Sequence, residues 1–194
     1  MRFNSDQIQK IGKEISSKVD GKTLFDEFSR GRYSTDASVY QIKPLGVVLP
    51  KDTNDVLNLM EYSQKNSVPL LARGGGSSQC GQTVGESVVL DYSKHQNKIL
   101  ELNVEEKYVW VQPGVVLDHL NAYLKPHGLW FPVDVSTSSR ATIGGMSANN
   151  SCGSRSLYYG NMVHNVLAIE AILDDGSIFN FDQINKNYLA TKNN

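Results

Sequence analysis

Cysteine is scarce in this chain: Cys80 and Cys152 are the only two in 194 residues. So few, so far apart, they exclude a cysteine-ligated iron–sulfur cluster and a paired-cysteine zinc site. Nothing points to an oxidising compartment, so free thiols are expected rather than a disulfide. An excess of either charge is missing as well. Lys and Arg number 19 against 20 Asp and Glu, a net charge of −1 with no basic block, and a nucleic-acid partner is not expected. No apolar run approaches the ~18 residues of a membrane span, and Met1-Arg2-Phe3-Asn4-Ser5-Asp6 has no apolar signal region. Neither a transmembrane segment nor a leader is expected, and the location predicted is cytoplasmic. The four histidines, His95, His119, His127 and His164, share no ligand spacing, so no metal is expected. No internal repeat is found. What is present, 40% hydrophobic and 20% charged residues, is an ordinary globular composition sufficient for one domain or two small lobes.

Ile8, Ile11, Ile15 and Val19 share one helical face, which predicts a helix over about residues 5–18 with Gly21 as its C-terminal cap. Residues 28–40 have no sustained period and read as a loop. Val47-Val48-Leu49 is strand-like, Asp52 or Thr53 can cap a helix carrying Val56, Leu59, Met60 and Ser63, and residues 69–72 are strand-like again. Strand, helix and strand in so short a span predict a parallel βαβ unit, with the next loop leaving the carboxyl end of a parallel strand, where ligands bind. Residues 88–91, 99–102 and 108–112 then read as an antiparallel meander opening a second lobe. Val116, Leu117, Leu120, Tyr123 and Leu124 mark a helix stopped by Pro126 and Gly128. Residues 163–173 and 178–181 are expected strands around the hairpin signal Asp174-Asp175-Gly176-Ser177. Residues 182–194 form a polar tail.

The loop after the βαβ unit is Arg73-Gly74-Gly75-Gly76-Ser77-Ser78-Gln79. Three successive glycines are costly unless bare backbone is needed, and a simple turn needs one or two. Glycine takes positive φ freely and has no Cβ, so such a run can aim several consecutive N–H groups at one anion, a diphosphate above all. Ser77, Ser78 and Gln79 add donors at the rim, and Arg73 either holds the strand end or adds positive charge. A dinucleotide fingerprint fails, because counting from Gly74 puts Gln79 where the third glycine belongs. Gly76-x-x-x-x-Gly81-Gln82-Thr83 has Walker A spacing. Gln82 replaces the lysine, however, and a strand-like run replaces the helix, leaving ATP or GTP binding a distant alternative.

A second stretch runs from Pro132 through Asp134, Ser136, Ser138 and Thr142, then Gly144, Gly145, Asn149, Asn150 and Gly153. Its small residues admit a flat ligand, and its hydroxyls and amides can bond the ligand's edges. Thr142 can cap a short helix whose first turn offers free N–H groups. Arg30, Arg32, Tyr33 and Asp36 either face an active site or form an ordinary connection. Tyr158 and Tyr159 either stack on a ligand or serve packing. No catalytic residue is assigned.

Residues 69–85, Val111-Gln112-Pro113-Gly114, Phe131-Pro132-x-Asp134, Ala141-Thr142-Ile143-Gly144-Gly145-Met146, Asn150-Ser151-Cys152-Gly153, Tyr159-Gly160 and Asp174-Asp175-Gly176 together resemble the FAD-binding domain of the p-cresol methylhydroxylase/vanillyl-alcohol oxidase superfamily. The nearest branch is the D-lactate dehydrogenase, glycolate oxidase and D-2-hydroxyglutarate dehydrogenase-like proteins. The resemblance implies an α+β fold with FAD between two α/β lobes, a small parallel one (about 41–86) and a larger, mostly antiparallel one (about 87–181). Residues 1–40 precede it as a helix and loop, and the tail is the expected point of truncation. It further implies that Arg73, Gly74, Gly75, Gly76, Ser77, Ser78 and Gln79 cradle the FAD diphosphate. Pro132, Asp134, Ser136, Ser138, Thr142, Gly144, Gly145, Asn149, Asn150 and Gly153 would line the rest. Relatives with covalent flavin carry His late in the glycine loop where this chain has Ser77, so non-covalent FAD is expected. His164 stands where an acidic residue is usual. The expected activity is oxidation of a small 2-hydroxy acid by hydride transfer to FAD. A substrate-binding cap domain would lie outside these residues, and the electron acceptor is unknown. The alternative is a flavin- or nucleotide-binding module without catalysis.

Overall fold

The computed structural model describes residues 3–182. Helix α1 (Ser5–Ser16) begins with a reciprocal cap, the Asn4 side chain accepting from the Gln7 N–H and the Gln7 side chain from the Asn4 N–H, and it buries Ile8, Ile11 and Ile15. The helix ends at Ser17, not at Gly21. Gly21 does something else. Its N–H, with those of Asp20 and Lys51, converges on the Asp55 carboxylate at 2.7–2.9 Å, and a Cβ at Gly21 would stand 2.3 Å from the Leu49 carbonyl oxygen.

β1 (Lys22–Leu24) and α2 (Glu27–Arg32) follow, then β2 (Gly46–Leu49), α3 (Thr53–Asn66), β3 (Leu70–Arg73) and β4 (Val88–Asp91). Asp52 caps α3 through the N–H groups of Asn54 and Asp55. The four strands form one sheet in the order β1-β2-β4-β3, with β4 parallel to both neighbours. The expected βαβ unit is present, but β4 lies between its two strands, so residues 88–91 complete the first sheet rather than open a meander. A buried central strand hydrophobic on both faces reads as Val88-Val89-Leu90, and no local signal distinguishes it from a meander strand. Its alternation serves two cores: Val48, Val88 and Leu90 pack with α1 and α3, whereas Val47, Leu49 and Val89 face Leu24, Tyr33 and Leu71. Helix α2 overlaps the start of the stretch read as loop, where a six-residue helix capped by Asp26 is too brief to show a period.

β5 (Ile99–Asn103) and β6 (Tyr108–Val111) make an antiparallel hairpin over α4 (Leu117–Leu124), which ends in a tight turn through Pro126 and left-handed Gly128. α5 (Ile143–Ala148), α6 (Ser156–Tyr159) and α7 (Met162–Asn165) lead to the hairpin of β7 (Ile169–Ile172) and β8 (Ile178–Phe181). Residues 163–165 are therefore helical, not the start of a strand, because Asn161 and His164 form a reciprocal cap. Leu117, Val133, Ala141, Met146 and Met162 form the core beneath α5. The tail beyond residue 182 lies outside the described residues.

Candidate functional site

β3 delivers the chain to the glycine loop at Arg73, whose carbonyl accepts from the Tyr92 N–H at 3.0 Å. From Gly74 to Gln79, none of the six backbone N–H groups donates a hydrogen bond to another described residue. Gly76 takes φ +64°, which lets the run turn. Gly74 and Gly75 have a further reason to lack a side chain. A Cβ at Gly74 would stand 2.1 Å from Thr142 Oγ1, and one at Gly75 would stand 2.1 Å from the Arg140 carbonyl oxygen. The two sequence stretches are thus in direct contact, and the glycines make that approach possible. A side-chain link reinforces it: Ser78 Oγ bonds Gln82 Oε1 at 2.6 Å, and Gln82 Nε2 donates to Asn149 Oδ1 at 3.0 Å. The Ser77 and Gln79 side chains have no partner among the described residues.

Thr142, 2% exposed, caps α5, its Oγ1 accepting from the Gly145 N–H at 3.4 Å. The expectation of free N–H groups in the first turn of α5 does not hold. Ile143 donates to the Val115 carbonyl at 2.8 Å and Gly144 to the Pro113 carbonyl at 2.9 Å, so the helix start is spent on joining α5 to the chain before α4. Gly144 lacks a side chain because Pro113 occupies its place, and Gly153 because Asp134 does. Asp134 accepts from the Arg155 N–H at 3.0 Å and Ser154 Oγ at 2.7 Å, with the Arg155 guanidinium 3.6 Å away. The Arg155 N–H first, then the Ser154 hydroxyl, hold its carboxyl below the usual range. Asn150, at φ +46°, accepts from the Val163 N–H. Pro132 precedes the fully buried Val133. Gly145 is exposed, with only Thr142 Oγ1 near its absent Cβ, and neither the Ser136 nor the Ser138 hydroxyl has a partner among the described residues.

The segment after α2 forms a third wall that the sequence shows only as a loop. Tyr33 donates to Asp91 Oδ2 at 2.7 Å, Asp36 accepts from Thr83 Oγ1 at 3.1 Å and from the Ser38 N–H at 2.9 Å, and the Tyr40 ring covers Gly81, which sits at φ +73°. Burial first, then the bond to Asp91, pushes the Tyr33 phenol far above its ordinary range, so it stays a neutral donor. Arg30 is buried on the Pro44 carbonyl and Glu27 and faces no open site. Arg140, not singled out from the sequence, places its backbone carbonyl beside Gly75, and its exposed side chain has no partner among the described residues. Its position next to a hydroxyl-rich run was the available signal. His164 accepts from the Asn161 N–H, Tyr159 packs edge-on against Tyr158 and Trp130, and no group of three metal-ligating side chains gathers among the described residues.

An open row of backbone donors suits an oxyanion, and a bare exposed glycine beside unspent hydroxyls suits a flat group, so these residues fit a phosphate-bearing planar ligand. Residues 44–182 match the FAD binding domain family. D-2-hydroxyglutarate dehydrogenase of Haemophilus influenzae is 44% identical over 158 residues, which are 78% of this chain and 15% of that protein. Glycolate oxidase subunit GlcD of Bacillus subtilis is 37% identical over 176 residues, 88% of this chain and 37% of that one. The chain thus spans a minor part of the relatives it matches. Among solved structures, alkyldihydroxyacetonephosphate synthase aligns with 96% of this chain and 36% of its own at a TM-score of 0.76. Physcomitrella patens BBE-like 1 aligns with 92% and 39% at 0.77. Each is 20% identical, a likeness that shows the fold. By the family match over most of its length and by its relatives, the chain belongs to the FAD binding domain family, with FAD as its cofactor.

Proposed function

We propose that this chain is the FAD-holding part of an oxidoreductase that oxidises a small 2-hydroxy acid. The observation that carries the reading is the row of unbonded N–H groups from Gly74 to Gln79, which offers the FAD diphosphate a ready set of donors with Ser77 and Gln79 at its rim. Ser136, Ser138 and Gly145 offer unspent groups to the rest of the cofactor. Pro132, Asp134, Thr142, Gly144, Asn149, Asn150 and Gly153 shape the wall through the contacts described above. When bound, FAD supplies the hydride acceptor. The residues of this chain bind it, orient it and keep water from its diphosphate. The names of the Haemophilus and Bacillus relatives support a 2-hydroxy acid as substrate. We place the substrate-binding wall in a cap domain outside these residues and assign no electron acceptor. Exposed, unpaired Cys80 and Cys152 suit a reducing compartment, and we place the protein in the cytoplasm. Ser77, in the place of a linking histidine, supports non-covalent attachment.

The test is an absorption spectrum of the purified protein with and without added FAD, followed by acid precipitation. Flavin absorption that appears with FAD and leaves with the supernatant is the expected result. Yellow colour in the pellet would refute non-covalent attachment, and absence of any uptake would refute the FAD reading of the loop.

A further inference from the structure

Arg73 stands at the entrance to the glycine loop and Thr83 near its exit, and the guanidinium joins the two. Nη1 donates to the Thr83 carbonyl at 3.2 Å and, at a longer 3.5 Å, to the Tyr33 carbonyl. Nη2 donates to the Thr35 carbonyl at 2.9 Å. The same group lies over the Tyr33 ring, 5.2 Å from its centroid. Tyr33 is itself tied to Asp91, the strand partner of Arg73, and Thr83 to Asp36. Gly76 completes the arrangement: a Cβ there would stand 2.4 Å from Arg73 Nη2. The guanidinium is a rigid fork of donors with no acceptor, and here the fork is closed on backbone carbonyls of two separate segments.

We infer that Arg73 is a positioning residue, a clamp that joins both ends of the glycine loop to the segment after α2 and so preorganises the donors of residues 74–79, rather than a diphosphate ligand. Resting on the FAD reading of this loop, the inference separates two roles that the sequence leaves open. A loop with no regular hydrogen bonding of its own holds a concave row of N–H groups only if its ends are fixed, and fixing them before binding lowers the ordering cost of the ligand. The clamp needs a fork. A lysine ammonium keeps the charge but cannot reach carbonyls on both segments with the same planar geometry.

The experiment compares the wild type with Arg73→Lys and Arg73→Met, with Lys94→Ala as a control on the exposed turn after β4. In FAD-free protein, amide hydrogen exchange at residues 33–38 and 74–83 is expected to accelerate about tenfold or more in both Arg73 variants, while α3 stays protected. FAD affinity is expected to fall about tenfold or more in both, with its dependence on salt concentration unchanged, because no contact between charge and diphosphate is lost. Restoration of FAD affinity by lysine would overturn the clamp in favour of a direct charge contact. So would a flattened salt dependence with exchange unchanged. Unaltered affinity in both variants would overturn it as well. If wild-type protein takes up no FAD, the cofactor reading fails, and the exchange comparison still decides whether Arg73 clamps the loop. Should neither variant fold, the wild type answers by NMR: guanidinium signals of Arg73 slowed in the apo protein and little shifted by FAD support the clamp, and mobile signals that shift strongly on FAD addition refute it.

Discussion

Asp55 gathers three backbone N–H groups, from Asp20, Gly21 and Lys51, while 3% exposed. Removing such an acceptor leaves three part-buried donors without it, so Asp55→Ala is expected to cost about 1 to 3 kcal/mol in chemical denaturation, with Asp55→Asn keeping part of it. At the proposed cofactor wall, Gly75→Val and Gly145→Val should both abolish FAD binding, for different reasons. The first drives a side chain into the Arg140 carbonyl and parts the two stretches, lowering thermal stability as well. The second adds a side chain on an exposed face, where its Cβ meets only the cap oxygen Thr142 Oγ1 at 3.2 Å, and should lower the melting temperature less than the first. A folded Gly145→Val protein with normal FAD affinity would remove Gly145 from the site. Asp134 gives a pH test. Its folded-state pKa lies below the ordinary 3.8, so its contribution to stability is present above that value and disappears as pH falls through the folded pKa. The melting-temperature gap between wild type and Asp134→Asn should therefore be full at pH 6 and close only as pH falls below the ordinary 3.8. A gap that persists at the acid end would show that Asp134 acts by packing alone.

At the scale of elements, one ring ties α1 to the first sheet. Phe25, on the turn between β1 and α2, fills the space where Cβ atoms of both Gly12 on α1 and Gly46 on β2 would lie, 2.7 Å and 2.2 Å from its ring carbons. Phe25 is partly buried, so Phe25→Ala should cost about 2 kcal/mol, less than truncation of a fully buried ring. Gly46→Ala should destabilise the wild type but be tolerated in a Phe25→Ala background, and equal penalties in the two backgrounds would sink this account. The helices were legible where their periods were long: α1, α3 and α4 carry their apolar stripes, and Asp52 and Thr142 act as the caps their residue types suggest. Helices α2, α6 and α7 were not, because four to six residues hold too few turns to repeat a pattern. The two glycine-bearing stretches were legible as a pair. That several of their glycines face protein rather than ligand was not, since a missing Cβ reads the same in either case.

On the scale of the molecule, apolar surface is distributed unevenly. Leu157, Tyr158, Val163, Leu167, Ile169, Ile178, Phe179 and Phe181 are all exposed, concentrated in the last quarter of the described chain, where β7 and β8 form a sheet of two strands. Exposed apolar side chains in this number bind dyes and promote association. The chain by itself is expected to enhance anilinonaphthalene sulfonate fluorescence and to sediment as larger species when concentrated. A monomer that leaves the dye dark would contradict the exposure. The same chain is expected to show no turnover of D-lactate, glycolate or D-2-hydroxyglutarate. Hydride transfer needs a substrate held within about 3 to 3.5 Å of its acceptor beside a free base. Near the glycine loop Tyr33 is committed to Asp91, and Asp36 to Thr83 and Ser38, while farther along His164 is committed to Asn161. Bleaching of bound flavin by any of the three acids would place a base within these residues, and Asp36→Asn and His164→Ala would locate it.

Local composition was enough to mark the glycine loop and the second polar stretch, because glycine runs and hydroxyl clusters are short-range statements about where bare backbone and donors stand, whereas the cofactor class was legible only from the family resemblance that the motifs carry together. The placement of β4 between β2 and β3, the closing of the loop by Arg73 and the loss of the α5 N–H groups to Val115 and Pro113 were decided only in three dimensions. Each depends on a partner distant along the chain. A strand's neighbour, an arginine's acceptors and a helix start's acceptors are chosen by which segments the core brings together, and no residue carries that choice alone.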